Sequence, residues 1–177
     1  MTDRVFVVVS GLPASGKTTL ARGLAAELGF PLVDKDVVLE SLYDSLGVGD
    51  QAWRHRLSRA ADGVLYALAA DAGRAVLVNW WHRDSSPARL RSLGGRLVEV
   101  HCACDVEVVA ERFRARERHP GHLDRELTPE ALRERIAGWA ARPGPLGAGG
   151  PVVVVDTGAP VDGRAVAAEV GALLRRA

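Results

Sequence analysis

Short runs of apolar, largely β-branched residues recur along the chain, and a segment of helical spacing follows each one. "RVFVVVSG" (4–11) reads as a buried strand ended by Gly-Leu-Pro. In "KTTLARGLAAELG" (17–29) Leu20, Leu24 and Leu28 share one helix face, and Gly29 supplies the stop. "FPLVD" (30–34) predicts a second strand, "DVVLESLYDSLG" (36–47) a helix, and "QAWRHRLSRAADGVLYALAADAG" (51–73) a long helix. A third strand is expected over 74–81, a short Ser-Pro-led helix over 85–94 and a fourth strand over 95–103. The helix expected over 105–118 is capped by Asp105, and the one over 128–140 opens with Thr-Pro-Glu. "PVVVVD" (151–156) is the fifth strand, and a closing helix fills the C-terminal end.

Five apolar strands alternating with helices imply an α/β fold, a three-layer arrangement with a five-stranded parallel sheet covered on both faces. Ligands of such sheets bind where the strands end, here near 11–18, 34–36, 79–84, 103–105 and 156–160. No repeat or linker divides residues 1–177, so one domain is expected.

Composition narrows this picture only slightly. The net charge of +1 is ordinary for a soluble domain and gives no sign of a dedicated nucleic-acid binder. No apolar run is long enough for a bilayer or a secretory leader, and two cysteines make no disulfide framework. A cytoplasmic protein without membrane contact is expected; nothing in the sequence sets an oligomeric state. Of the 23 basic residues, 21 are arginine, so Lys17 and Lys35 stand out.

"GLPASGKT" (Gly11–Thr18) satisfies G-x-x-x-x-G-K-[ST] in the required context, after an apolar strand and opening a helix. The loop formed by Gly11, Pro13, Ala14, Ser15, Gly16, Lys17, Thr18 and Thr19 would cradle the β-phosphate of ATP with its backbone N–H groups, Pro13 shaping the turn without donating one. Lys17 would reach the β- and γ-phosphates, and the Thr18 hydroxyl would ligate Mg²⁺.

The other lysine sits in "LVDKDVV" (32–38). Asp36 follows strand two by sheet geometry that turns it toward the phosphate loop, and phosphoryl transfer needs a group to orient the acceptor hydroxyl. Asp36 is equally placed to cap the next helix. Asp34 is a Mg²⁺-side ligand or a strand-end turn residue, and Lys35 contacts an acidic acceptor, separates the carboxylates or is solvated.

With loop, chain length and strand layout in place, the sequence resembles the small P-loop kinases of the nucleoside-monophosphate-kinase-like group. It is similar to chloramphenicol phosphotransferase, gluconate kinase and the zeta-toxin/polynucleotide-kinase-like "AAA family ATPase" proteins, which carry a "KD" after strand two and an "RHPGH"-like run. The resemblance implies Lys35-Asp36 in the acceptor slot, with Asp36 as base. It implies a lid over 112–128, whose arginines Arg112 and Arg116, sharing a face by i, i+4 spacing, neutralise transferring charge. It places the adenine against Gly158 and Ala159 in "DTGAP". Departures exist as well. The polynucleotide-kinase arginine after the aspartate is replaced by Val37, Val38, Leu39 and Glu40, and Asn79 stands where a Walker B aspartate is usual. In "VNWWHRD" one of Trp80 and Trp81 should line a pocket, with His82 and Arg83 on the acceptor side. The expected activity is ATP- and Mg²⁺-dependent phosphorylation of a hydroxyl on a sugar, antibiotic or nucleoside. A 5′-hydroxyl polynucleotide kinase and a nucleotide-binding switch or toxin-type module are the alternatives.

Overall fold

The computed structural model describes residues 4–176. Strands β1 (Val5–Gly11), β2 (Leu32–Asp34), β3 (Arg74–Val78), β4 (Arg96–Ala103) and β5 (Val152–Asp156) form one parallel sheet in the order β2-β3-β1-β4-β5. Between them run α1 (Lys17–Leu28), α2 (Lys35–Leu46), α3 (Gln51–Ala72), α4 (Ser86–Ser92), α5 (Val106–Ala115), α6 (Pro129–Ala140) and the closing α7 (Gly163–Arg176). None of the described helices is long and apolar enough to cross a membrane.

The strands are apolar on both sides because both sides are covered. Val7, Val9, Val98 and Val100 pack with Leu20, Leu24, Val170 and Leu174 from α1 and α7. Phe6, Val8, Ala75 and Leu77 face the other way, onto Leu65 and Ala69 of α3 and Leu90 of α4. Leu39, Tyr43, Leu57 and Ala61 form a smaller cluster that fastens α2 to α3.

Several element ends differ from expectation. Asp34, not Asp36, caps α2: its Oδ1 accepts from the Asp36 amide at 3.0 Å, placing Asp36 in the first helical turn. Strand β3 stops at Val78, so Trp80 and Trp81 lie beyond the pleat and strand alternation does not govern them. Helix α5 ends at Ala115, with Arg116 extended as its C-cap; the Arg116 amide still donates to Arg112 O at 3.1 Å, so the two arginines keep their i, i+4 relation only across the helix end.

Ser10, Asp34, Glu99 and His101 are polar residues buried among these strands. Glu99, on the α3/α4 face of β4, is fully buried and accepts from Ser10 Oγ at 2.6 Å. Its carboxylate also takes the amides of Leu146, Gly147 and Ala148 at 2.5, 3.0 and 3.4 Å, anchoring the loop before β5. Charge-assisted bonds to backbone donors are among the stronger ones, and orphaning those donors is costly. Glu99→Ala should lower stability by about 2–3 kcal/mol, read as a lowered midpoint in urea unfolding. An unchanged midpoint would show that the loop does not depend on this carboxylate.

Candidate active site

The phosphate loop takes backbone conformations that its sequence permits. Gly11 has φ 139°, and a Cβ there would meet Cys102 O at 2.7 Å and Ser15 Oγ at 2.8 Å. Gly16, the residue before α1, lies at φ 89° in the left-handed region, as does Ala14 at φ 61°. Lys17 is folded back over the loop, donating to Leu12 O at 2.6 Å and Gly11 O at 3.1 Å. Burial, with Arg116 nearby, pushes its ammonium down to about 8 against the pull of Cys102, Asp36 and Asp34.

Facing the loop is the end of β2. Thr18 Oγ1 donates to Asp34 Oδ2 at 3.1 Å, while the other Asp34 oxygen caps α2. Burial pushes the Asp34 carboxyl above its usual range, despite hydrogen bonds from the Asp36 amide and Thr18. A desolvated carboxylate and a hydroxyl side by side are hard oxygen donors short of positive charge, and this set fits Mg²⁺.

Asp36 is half-exposed at the mouth of the same cavity. Its Oδ2 pairs with Arg118 NH2 at 2.5 Å. Burial raises its carboxyl, but Arg118, His122, Lys35 and Lys17 together outweigh that and hold it below the usual carboxylate range. It is therefore ionised at neutral pH. Lys35 is not solvated: it is buried, and its Nζ donates to Ser58 Oγ of α3 at 2.7 Å, in the field of Asp62. Asp62 in turn accepts from Asn79 Nδ2 at 2.8 Å. A carboxylate thus stands near the end of β3 after all, reached from α3 through Asn79.

These groups line one cavity of about 750 Å³. From the loop it is bordered by Pro13, Ala14, Gly16, Lys17, Thr18 and Thr19. Asp34, Lys35 and Asp36 border it from β2 and α2, and Arg112, Arg116 and Trp80 from the far side. His82 lines it too. Ser15 is buried beneath the loop, and Gly11 and Arg83 border a neighbouring cavity instead. Arg83 donates to the carbonyls of Pro145, at 2.8 Å, and Gly144. Gly158 borders neither cavity; its carbonyl and that of Thr157 take the Arg112 guanidinium at 3.5 and 2.9 Å. Of the two tryptophans, Trp81 is buried, with Nε1 donating to Val9 O at 2.8 Å, and Trp80 is exposed.

The arginines expected in a lid make contacts different from those expected. Arg116 lies over the Phe113 ring at 4.1 Å and pairs with Asp124 at 3.3 Å; burial first, then Arg118, push it down to about 10. Arg118, which helical spacing gave no reason to choose, joins Asp36 to Asp124 (3.0 Å) and so ties the segment after α5 to the carboxylate. Arg135 of α6 reaches Asp124 at 3.6 Å. Two more pairs clasp that segment to α2, His119 with Asp44 at 3.1 Å and His122 with Glu40 at 2.8 Å. Tyr43 stacks on His119 and meets His122 edge-on.

Gly121 closes the clasp, since a Cβ there would come within 2.4 Å of the Tyr43 ring. Gly121→Ala should cost about 1–3 kcal/mol of docking. It should show as faster proteolysis within 116–128, with the global unfolding midpoint changing less. Equal protease resistance in both proteins would show that this contact does not hold the segment.

Residues 6–143 match the family model described as an AAA domain. A shikimate kinase from Nitratidesulfovibrio vulgaris is 33% identical over 168 residues, covering 89% of each chain. The crystal structure of a candidate kinase from Chloroflexus aurantiacus is 31% identical, with TM-score 0.87, over 98% of this chain and all of that one. The Holliday junction branch migration complex subunit RuvB of Chlorobaculum parvum is 39% identical over 92 residues. That match takes in 46% of this chain, which spans only about a quarter of the RuvB length.

Proposed function

The chain belongs to the AAA domain family, within the P-loop kinases of the nucleoside-monophosphate-kinase-like group, and on that premise we propose that it is an ATP- and Mg²⁺-dependent kinase that phosphorylates a hydroxyl of a small molecule. One observation carries the reading: Lys17, Thr18, Asp34 and Asp36 border a single cavity, with the phosphate loop on one side and an ionised carboxylate on the other. The relative named shikimate kinase supports it, shikimate being a small hydroxylated molecule.

In this mechanism the loop amides and Lys17 hold the β- and γ-phosphates, Lys17 turning from its own loop carbonyls to the incoming anion. Thr18 and Asp34 would hold Mg²⁺, which when bound would supply positive charge against the charge developing on the transferring group. Asp36 accepts a hydrogen bond from the acceptor hydroxyl and takes its proton as the phosphoryl group arrives. A low carboxyl pKa suits this duty. The transition state is loose, so the carboxylate must orient the hydroxyl while little proton transfer has occurred. Arg118, paired with Asp36 before acceptor binds, is released toward the transferring group, where Arg112 and Arg116 also stand. ADP release stimulated by a hydroxylated acceptor tests this function.

A further inference from the structure

A second cavity of about 730 Å³ lies beside the first, on the sheet face that also carries Ser10, Glu99 and His101. The two cavities share Trp80, His82 and Trp139 as a common wall. Trp80 is 43% exposed, unusual for so large an apolar ring, and its centroid stands 6.1 Å from that of Trp139. Phe113 backs Trp139 at 5.4 Å. Val106 and Leu146 add further apolar wall.

The enclosure is held by two polar clamps that the phosphoryl-transfer mechanism does not use. Glu99 grips the amides of 146–148 from the sheet, and Arg83 grips the carbonyls of 144 and 145 from the β3 side. Together they fix the 144–148 loop that forms part of the cavity wall.

The protons on the cavity floor can be assigned. Ser10 has a single hydroxyl hydrogen, and at 2.6 Å it goes to the Glu99 carboxylate, which can only accept. The contact of 2.9 Å between Ser10 Oγ and His101 Nδ1 must then run from the imidazole to the hydroxyl. Burial lowers the His101 pKa, keeping the ring neutral near pH 7. With Nδ1 carrying the hydrogen, Nε2 is the acceptor nitrogen of a ring that lines the cavity. Aromatic walls and one acceptor on the floor fit a planar ring that bears a hydroxyl or amine donor.

We propose that the acceptor carries an aromatic ring with a hydrogen-bond donor, and that this ring occupies the second cavity against the Trp80–Trp139 wall with its donor on His101 Nε2. The assignment rests on the kinase reading for its connection to the acceptor. The reacting hydroxyl stays in the first cavity near Asp36, and the shared wall lets one molecule extend across both.

Three soluble glucosides separate the contributions: methyl, phenyl and 4-hydroxyphenyl β-D-glucoside, titrated calorimetrically into the full chain with and without Mg·ATP. The phenyl compound should bind at least about tenfold tighter than the methyl one, from burial of the ring. The 4-hydroxyphenyl compound should gain about another fivefold from the hydrogen bond. Val106→Trp, which fills the cavity, should erase the aryl advantage while fluorescent ATP analogue binding reports an intact fold. His101→Phe should erase only the difference between the two aryl compounds. Equal binding of methyl and aryl glucosides, or an aryl advantage that survives Val106→Trp, overturns the proposal. ADP release measured on the same samples keeps the two readings apart. Release stimulated by non-aryl acceptors without any aryl preference sinks the ring site and leaves the kinase standing. A clear aryl preference with no release from any acceptor sinks the kinase reading, and with it the link to an acceptor.

Discussion

An Asp36→Asn variant will turn over about 10²–10⁴-fold more slowly than the parent, with Mg·ATP affinity nearly unchanged. The amide keeps the shape of the carboxylate and can still accept one hydrogen bond, but it cannot take the acceptor's proton. Its other consequence is local. Arg118 loses the 2.5 Å ion pair with Asp36 and keeps only Asp124 at 3.0 Å. Acceptor KM will therefore rise somewhat, because the segment after α5 is held less firmly, while the larger loss falls on kcat. Steady-state ADP release across a range of acceptor concentrations separates the two terms. Normal kcat in this variant would remove Asp36 from the chemistry and leave it a helix first-turn residue.

Lys17→Ala should be more severe. A cation that neutralises the transferring phosphoryl group is worth about 10³–10⁵-fold in kcat, and Lys17 is also the loop's only lysine. The loop should still fold, since it depends on Gly11 and Gly16 and on backbone bonds such as Ser15 N to Leu12 O at 3.2 Å. The expected result is a protein of parental thermal stability with greatly weakened binding of a fluorescent ATP analogue and no measurable acceptor phosphorylation. Substantial phosphorylation by Lys17→Ala would mean that the loop lysine is dispensable here, and that the arginines across the cavity carry the phosphates.

The fold was legible because each strand is a largely apolar run, as a parallel sheet covered on both faces demands, Glu99 and His101 in β4 being among the exceptions. The phosphate loop was legible because its requirements are local: glycines at Gly11 and Gly16, and a lysine and a hydroxyl at the start of a helix. Asp34 and Asp36 were drawn out by their place after β2, but which of them caps α2 turns on a single side-chain rotation that spacing does not encode. Arg118 was missed for a sharper reason. Helical spacing runs on to 118 in the sequence, whereas the helix stops at Ala115, and beyond it the choice among arginines depends on contacts with α2 that are distant in sequence. The same holds for Lys35, whose partner Ser58 lies on α3, and for the Asp62–Asn79 pair near the end of β3. A polar residue in an apolar strand, such as Glu99 or His101, was the signal that could have pointed to the second cavity.

The measurement that reaches the central claim most directly is ADP release from purified protein with Mg·ATP, across sugars, hydroxylated antibiotics, nucleosides, aryl glucosides and 5′-hydroxyl oligonucleotides. Parent and Asp36→Asn are run side by side. A small-molecule hydroxyl kinase will respond to one class of small acceptor, and that response will collapse in Asp36→Asn while nucleotide binding persists. Stimulation by oligonucleotides alone, or tight ATP binding with no stimulation by any acceptor, would contradict the assignment of this cavity to a small hydroxylated substrate.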